Sequence, residues 1–204
     1  MDIGRTSLVA IGEGFTPQNF GSRHLAAMFP GEPTSTVVSP VFTQLQYDGG
    51  YEILVLGDRL EIKLTAPEQQ SAEGSLAECF KACLLLWPLV EIRALGINFL
   101  LIEPYSEVVT PNSVRERFLN LEAIEGPILG HEISSRHVFT FPVDDMVVNA
   151  TVADAEIPHG MAISVDFNLH FEPPGDVAAR INNRPALFER CNDWGERLVG
   201  IRDL

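Results

Sequence analysis

In the stretch MAISVDFNLHF, Asp166, Asn168 and His170 alternate with Val165, Phe167 and Leu169. Successive side chains of an extended chain point to opposite faces, so a carboxylate, an amide and an imidazole share one side of this strand. Such a trio can ligate a metal or relay a proton, because imidazole titrates near neutral pH. His131 and His137 lie on a neighbouring predicted strand with a parity that would let them face the trio. The competing reading is the wet side of a half-buried strand. It ranks first, because no compact zinc-ligand spacing such as His-Glu-x-x-His accompanies the trio.

The stretch VEIRALGINFLLIEPY supplies a second candidate. Gly96 and Asn98 share parity with Ala94, opposite Leu95, Ile97 and Phe99. Functionally, Asn98 would orient a ligand in a pocket floored by Gly96. Structurally, a helix starting at Ser75 would pack over Ala94 and Gly96, with Asn98 satisfying a backbone group at a bulge or strand end. The structural reading is preferred, since strand glycines mark bulges or close packing. The candidate ligand-binding set is therefore Asn98, Asp166, Asn168 and His170, with no metal and no cofactor expected.

Other chemistry is thin. Cys79 and Cys83 fall on the apolar stripe of a predicted helix, where cysteine behaves as a small hydrophobe, and Cys191 stands alone. Three cysteines do not suit a secreted disulfide framework. There is no Gly-x-Gly-x-x-Gly, no phosphate-binding Gly-Lys-Ser or Gly-Lys-Thr and no Gly-x-Ser-x-Gly. Ser134 and Ser135 stand too close to His137 in sequence to form a triad with it.

The elements that would carry these residues follow from periodicity. A short strand, Leu8 to Ile11, precedes a meander in which Val41, Leu45 and Tyr47 alternate with polar residues. Ile53 to Leu56 and Leu60 to Leu64 continue it, with turns at Asp48-Gly49-Gly50 and Gly57-Asp58. Leu76, Cys79, Phe80, Cys83, Leu84 and Trp87 recur at helical spacing. Ser75 and Glu78 read as a capping box at the start of that helix, and Pro88 as its stop. Glu107 to Pro127 reads as a connection with one short helix, whose inner side is Val114, Phe118 and Leu121. Strands return at about Leu129 to Phe141, Met146 to Ala155 and Met161 to Phe171. Asp176 then caps a helix renewed at Pro185, with Phe188, Cys191, Trp194 and Leu198 on its apolar stripe.

This order gives the α+β class: one domain over 1–204, a mixed and mainly antiparallel sheet with helices on one face. It also admits a duplicated four-strand-plus-helix unit with halves 1–89 and 90–204. Nearly half of the 204 residues are hydrophobic and about a fifth are charged, a composition that can bury a core. The net charge of -14 repels phosphate backbones and anionic lipid surfaces, so neither nucleic acid nor membrane is an expected partner. The N-terminus has no basic start before a long apolar run, and a cytoplasmic location is expected.

AIGEGFTPQNF before a meander, IRALGINFLL after a helix and VDFNLHF before the last helix resemble a poorly characterised group of bacterial α+β proteins. That group carries an aliphatic-Gly-Ile-Asn strand in mid-chain. The element order is also similar to the four-strand-plus-helix plan of SecB-type chaperones, doubled. The first resemblance implies a fold and no activity. Two functional readings follow. The chain is expected to be a non-catalytic protein-binding or adaptor subunit, chaperone-like, with a protein partner or self-association. The alternative is a small enzyme or ligand-binding domain using the face of Asn98, Asp166, Asn168 and His170.

Overall fold

The computed structural model describes residues 1–19, 29, 33–65, 70–110, 117–118 and 136–201. Nine strands form one sheet: β1 (Asp2–Glu13), β2 (Pro33–Val38), β3 (Phe42–Tyr47), β4 (Tyr51–Leu56), β5 (Arg59–Leu64), β6 (Glu91–Pro104), β7 (Arg136–Val143), β8 (Met146–Ile157) and β9 (Gly160–Phe171). Among the described residues three full α-helices accompany them, α1 (Gln70–Leu84), α2 (Val177–Asn182) and α3 (Arg184–Val199), besides a 3-10 turn at Pro17–Asn19. The strand order is β2-β3-β4-β5-β1-β6-β9-β8-β7. All eight pairings are antiparallel, so the expected mixed sheet is wholly antiparallel.

The topology has two similar arms. β1 and β6 lie side by side at the centre. From each the chain leaves for an edge and returns through a meander, β2 to β5 or β7 to β9, whose last strand pairs with the strand it started from. The first arm holds five strands where four were expected, because PTSTVV forms an additional edge strand, β2, ahead of the predicted meander. β1 is also far longer than Leu8 to Ile11.

Alternation explains the layering. Leu8 on β1, Ile62 on β5, Ile97 on β6 and Leu169 on β9 are fully buried and lie in register across the centre of the sheet. The same transverse line runs on through Ile53 and Leu45 on one side and Val148 on the other. All three helices cover this face. From α1, Leu76, Cys79, Phe80 and Cys83 enter the core. From α3, Phe188 meets Phe99 with ring centroids 5.5 Å apart, and Trp194 meets Phe141 and Phe167 at 5.7 and 6.2 Å. Gly195 admits Met1, whose sulfur would stand 2.8 Å from any Cβ there. Each large apolar side chain buried in this way contributes about 1.5–3 kcal/mol.

Local signals account for the helix ends, with one correction. Helix α1 begins at Gln70, so Ser75 lies inside it and the Ser75/Glu78 pair is not its start. Asp176 caps α2 by accepting from the Ala179 amide at 2.9 Å, and Pro185 sits in the first turn of α3. Gly200, at φ +85°, closes α3 in the left-handed conformation that glycine adopts without penalty. The connection 107–127 is described only in part. There Arg117 and Phe118 are helical, and the Phe118 ring packs at a tilt against His137 and Phe139.

The Phe99 ring is fully buried under α3. Phe99→Ala should therefore cost about 3–5 kcal/mol in urea unfolding, against about 0.5–2 kcal/mol for Asp176→Ala. Equal losses would show that the Phe99 cavity collapses at little cost.

Candidate functional site

The other face of the sheet carries no helix among the described residues. One residue along each strand from the buried line, the chain turns polar. Ser7, Asn98, Asn168, Asn149 and Thr140 stand in register on β1, β6, β9, β8 and β7. On the other side of Ser7 the row continues through Lys63, Glu52, Gln46 and Ser35, so it crosses all nine strands. A period of two makes this possible, since one register sets both a dry and a wet line.

The row is hydrogen-bonded along much of its length. Asn98 Nδ2 donates to Ser7 Oγ at 2.8 Å, and Asn168 Nδ2 donates to Asn98 Oδ1. Thr140 Oγ1 donates to Asn149 at 2.7 Å, and Lys63 lies 3.6 Å from the Glu52 carboxylate. Above the row, Arg5 reaches across Leu100 to Asp166 at 3.2 Å. Burial pushes the Asp166 carboxyl upward, against the opposing pull of Arg5 and Arg136. Glu61, 7% exposed, receives Arg59 at 2.6 Å. Between these groups lies a shallow hollow of about 220 Å³, lined from five strands by residues that include Arg5, Ser7, Lys63, Asn98, Asp166 and Asn168.

Three of the four predicted site residues thus converge. Asn98 and Asn168 are bonded to each other, and Asp166 lines the same hollow. His170 does not join them. It stands in the next transverse row beside Gly96 and Val147, 3.1 Å from Glu172, and lines a separate hollow of about 340 Å³ with Asp144 and Asp145. Those two carboxylates bind Arg190 and Arg180. The Arg180 hydrogen bond holds the Asp145 carboxyl below its ordinary range.

Two further expectations are corrected. His137 pairs with buried Val152 and so lies on the helix-covered face, opposite Asp166, Asn168 and His170. His131, Ser134 and Ser135 lie outside the described residues. Gly96 does not underlie α1, because the parity of Leu95, Ile97 and Phe99 places those residues in the core and turns Ala94 and Gly96 to the open face. Asn98 likewise bonds side chains across the row and not a backbone group.

Chemically the hollow offers hydroxyl, amide, ammonium, guanidinium and carboxylate groups. The partner of the Ser7 hydroxyl is an amide, which cannot take its proton. Among the described residues no three of His, Cys, Asp and Glu are grouped to hold a metal ion. Burial pushes the Cys83 thiol well up and that of Cys191 to about 12, which keeps both protonated at neutral pH. Sequence reasoning missed Arg5, Ser7, Glu61, Lys63, Asn149 and Thr151 as members of the hollow. Their alternation was visible, but the neighbours that make it a site are set by β1 lying between β5 and β6.

A polar row also leaves an apolar strip on the same face. Ile11, Val37, Phe42, Leu54 and Leu56 share its parity at the end of the sheet near the β2–β3 and β4–β5 turns. Val37 is 44% exposed and Ile11 is 37% exposed. No protein-family model and no curated protein matches this chain.

Folded Asp166 holds its proton to higher pH than the unfolded chain does, so this contribution favours the fold in acid and is lost as pH rises through the folded-state value. Asp166→Asn stays neutral throughout. Its stability relative to the unsubstituted protein should improve as pH rises from about 4 to about 7. Urea unfolding across that range measures it, and a difference moving the other way would show that Arg5 outweighs burial.

Proposed function

We propose that this protein is a non-catalytic polypeptide-binding subunit, an adaptor of chaperone-like character, and that the helix-free face of its sheet is the binding surface. The observation that carries the reading is the pairing, on one face, of a partly exposed apolar strip with a polar row, hydrogen-bonded along much of its length, that crosses all nine strands. Apolar strips offer burial to a partner, and amides and hydroxyls beside them satisfy its backbone groups. The face presents contact groups in quantity, and its carboxylates Asp166, Glu61 and Glu52 are engaged by Arg5, Arg59 and Lys63. A cytoplasmic setting belongs to the same proposal. Among the described residues no helix is long and apolar enough to cross a membrane.

One observation favours a second reading, a small-ligand domain. The hollow between Arg5, Lys63, Asn98 and Asp166 brings both charge signs and amides together in a space of about 220 Å³. A small zwitterion would fit that lining.

A permanently unfolded model polypeptide of net positive charge, its cysteines blocked as neutral carbamidomethyl derivatives, tests the proposal by fluorescence polarisation. The protein should bind it, and Leu54→Asp should weaken binding by about tenfold, equivalent to about 1.4 kcal/mol. Leu85→Asp, at a 78% exposed site in the turn after α1, should leave it unchanged. No binding, or sensitivity at Leu85 instead of Leu54, would overturn the reading. A native mass spectrum showing a retained zwitterion that Asn98→Ala releases would move the assignment to the small-ligand domain.

A further inference from the structure

We propose that the free edge of β2 takes up a basic polypeptide segment in extended conformation, as a tenth and antiparallel strand. The inference rests on the polypeptide-binding reading and names where the partner's backbone is held.

Backbone register defines the edge. The Ser39 amide donates to the Phe42 carbonyl at 2.9 Å, which makes the residues closing the β2–β3 turn a hydrogen-bonded pair. Antiparallel pairs alternate between bonded and non-bonded. Val38/Thr43 and Thr36/Leu45 are then non-bonded pairs, so the amides and carbonyls of Thr36 and Val38 point away from β3. Among the described residues β2 pairs with β3 alone and ends the strand order. All six of its residues are exposed, and PTSTVV contains no charged side chain.

The opposite edge is built differently, and the contrast gives the first its meaning. β7 closes on β8 through the two-residue turn Asp144-Asp145, so Val143/Met146 is the bonded pair and Pro142/Val147 is non-bonded. Proline therefore stands where an amide would face outward, and it offers no donor there. Arg136 adds a charge at the start of the strand, and Phe118 packs on His137 and Phe139. Charge and proline are the ordinary means by which a sheet edge is closed to pairing. At β2 the outward-facing positions Thr36 and Val38 carry neither, and its proline, Pro33, stands at the first position of the strand, beyond the irregularity between Pro33 and Ser35.

Charge selects the occupant. The chain carries 28 acidic against 14 basic residues, and a field of that sign attracts a cationic segment while repelling a second copy of this chain. Because β2 is uncharged, a cationic strand can pair there without burying a carboxylate. Its alternate side chains would meet Ser35 and Val37 on the open face and Thr36 and Val38 on the other, which suits threonine and β-branched residues.

The probe is a fluorescent, end-blocked peptide of repeating Lys-Thr-Val-Thr units, with a Glu-for-Lys counterpart. By polarisation at low salt the lysine peptide should bind at least about tenfold more tightly than the glutamate peptide. Thr36→Pro, which deletes an outward amide and leaves the β3 ladder intact, should weaken that binding by about tenfold with unchanged urea stability. Hydrogen exchange should show the Thr36 and Val38 amides protected only when the peptide is present. Binding unaffected by Thr36→Pro and lacking this protection overturns the inference. If Leu54→Asp still weakens the unfolded model polypeptide in that case, the polypeptide-binding reading survives on its own. Protection that rises with protein concentration in the absence of peptide would assign the edge to a second copy and overturn the basic-segment proposal.

Discussion

Everything on the open face depends on the antiparallel register of β1 with β6. Leu8 opposite Ile97 and Ser7 opposite Asn98 are adjacent pairs, one apolar and fully buried, the other polar and hydrogen-bonded. A slip of one residue in this central pairing would turn Ser7 toward the helices and Leu8 toward water, and the same exchange would pass to β5 and β9 through their own pairings with the central strands. The penalty for such a slip sums over every apolar side chain moved into water, which is why one register prevails. The Asn98 bonds to Ser7 and Asn168 reinforce it from the wet side.

Helix α3 is the counterpart of that register. Trp194 and Phe188 rest on Phe141, Phe167 and Phe99, side chains from three strands that follow one another only because β6, β9, β8 and β7 are paired in that order. Arg180 and Arg190 then reach past the sheet to Asp145 and Asp144 at the β7–β8 turn, each lying over an aromatic ring on the way, Phe171 or Trp194. Exposed ion pairs contribute little singly. Their geometry nevertheless ties the turn of the second arm to the helices, and Asp144, at φ +53°, occupies a conformation that aspartate tolerates better than most residues.

Much of this was legible in the sequence because period-two alternation survives wherever one face is dry. The strands from Phe42 to Leu64 and from Met146 to Phe171 declare themselves that way, and so does the stripe of Leu76, Cys79, Phe80 and Cys83. PTSTVV did not, because an edge strand with both faces exposed has no dry side to mark. The Ser75/Glu78 pair misled for a related reason: a capping signature is local, and the chain upstream was already helical. Site membership is the least legible level. The sequence alone places Asp166, Asn168 and His170 on one face, but a strand climbs about 3.4 Å per residue, so His170 is carried one row beyond Asn168 and two beyond Asp166. Which residues fill the space beside Asn98 depends on β1 arriving from the N-terminus, a contact that spans 91 residues between Ser7 and Asn98.

The two arms share a path but not an edge. In the second arm the outer strand is stopped by Pro142, its turn is tied to α2 and α3, and an aromatic side chain packs against it. In the first arm the outer strand is short, uncharged and bordered by Val37, Val38 and Val41, each at least 44% exposed. The apolar strip of the open face, from Ile11 to Val37, lies on this arm as well. Stability alone would favour closing both edges alike, because an open edge beside exposed apolar side chains invites uncontrolled pairing. A net charge of -14 opposes pairing with a second copy, and under the edge-strand proposal that repulsion leaves the edge to a cationic partner. The asymmetry between the arms and the acidity of the whole are then two parts of one arrangement.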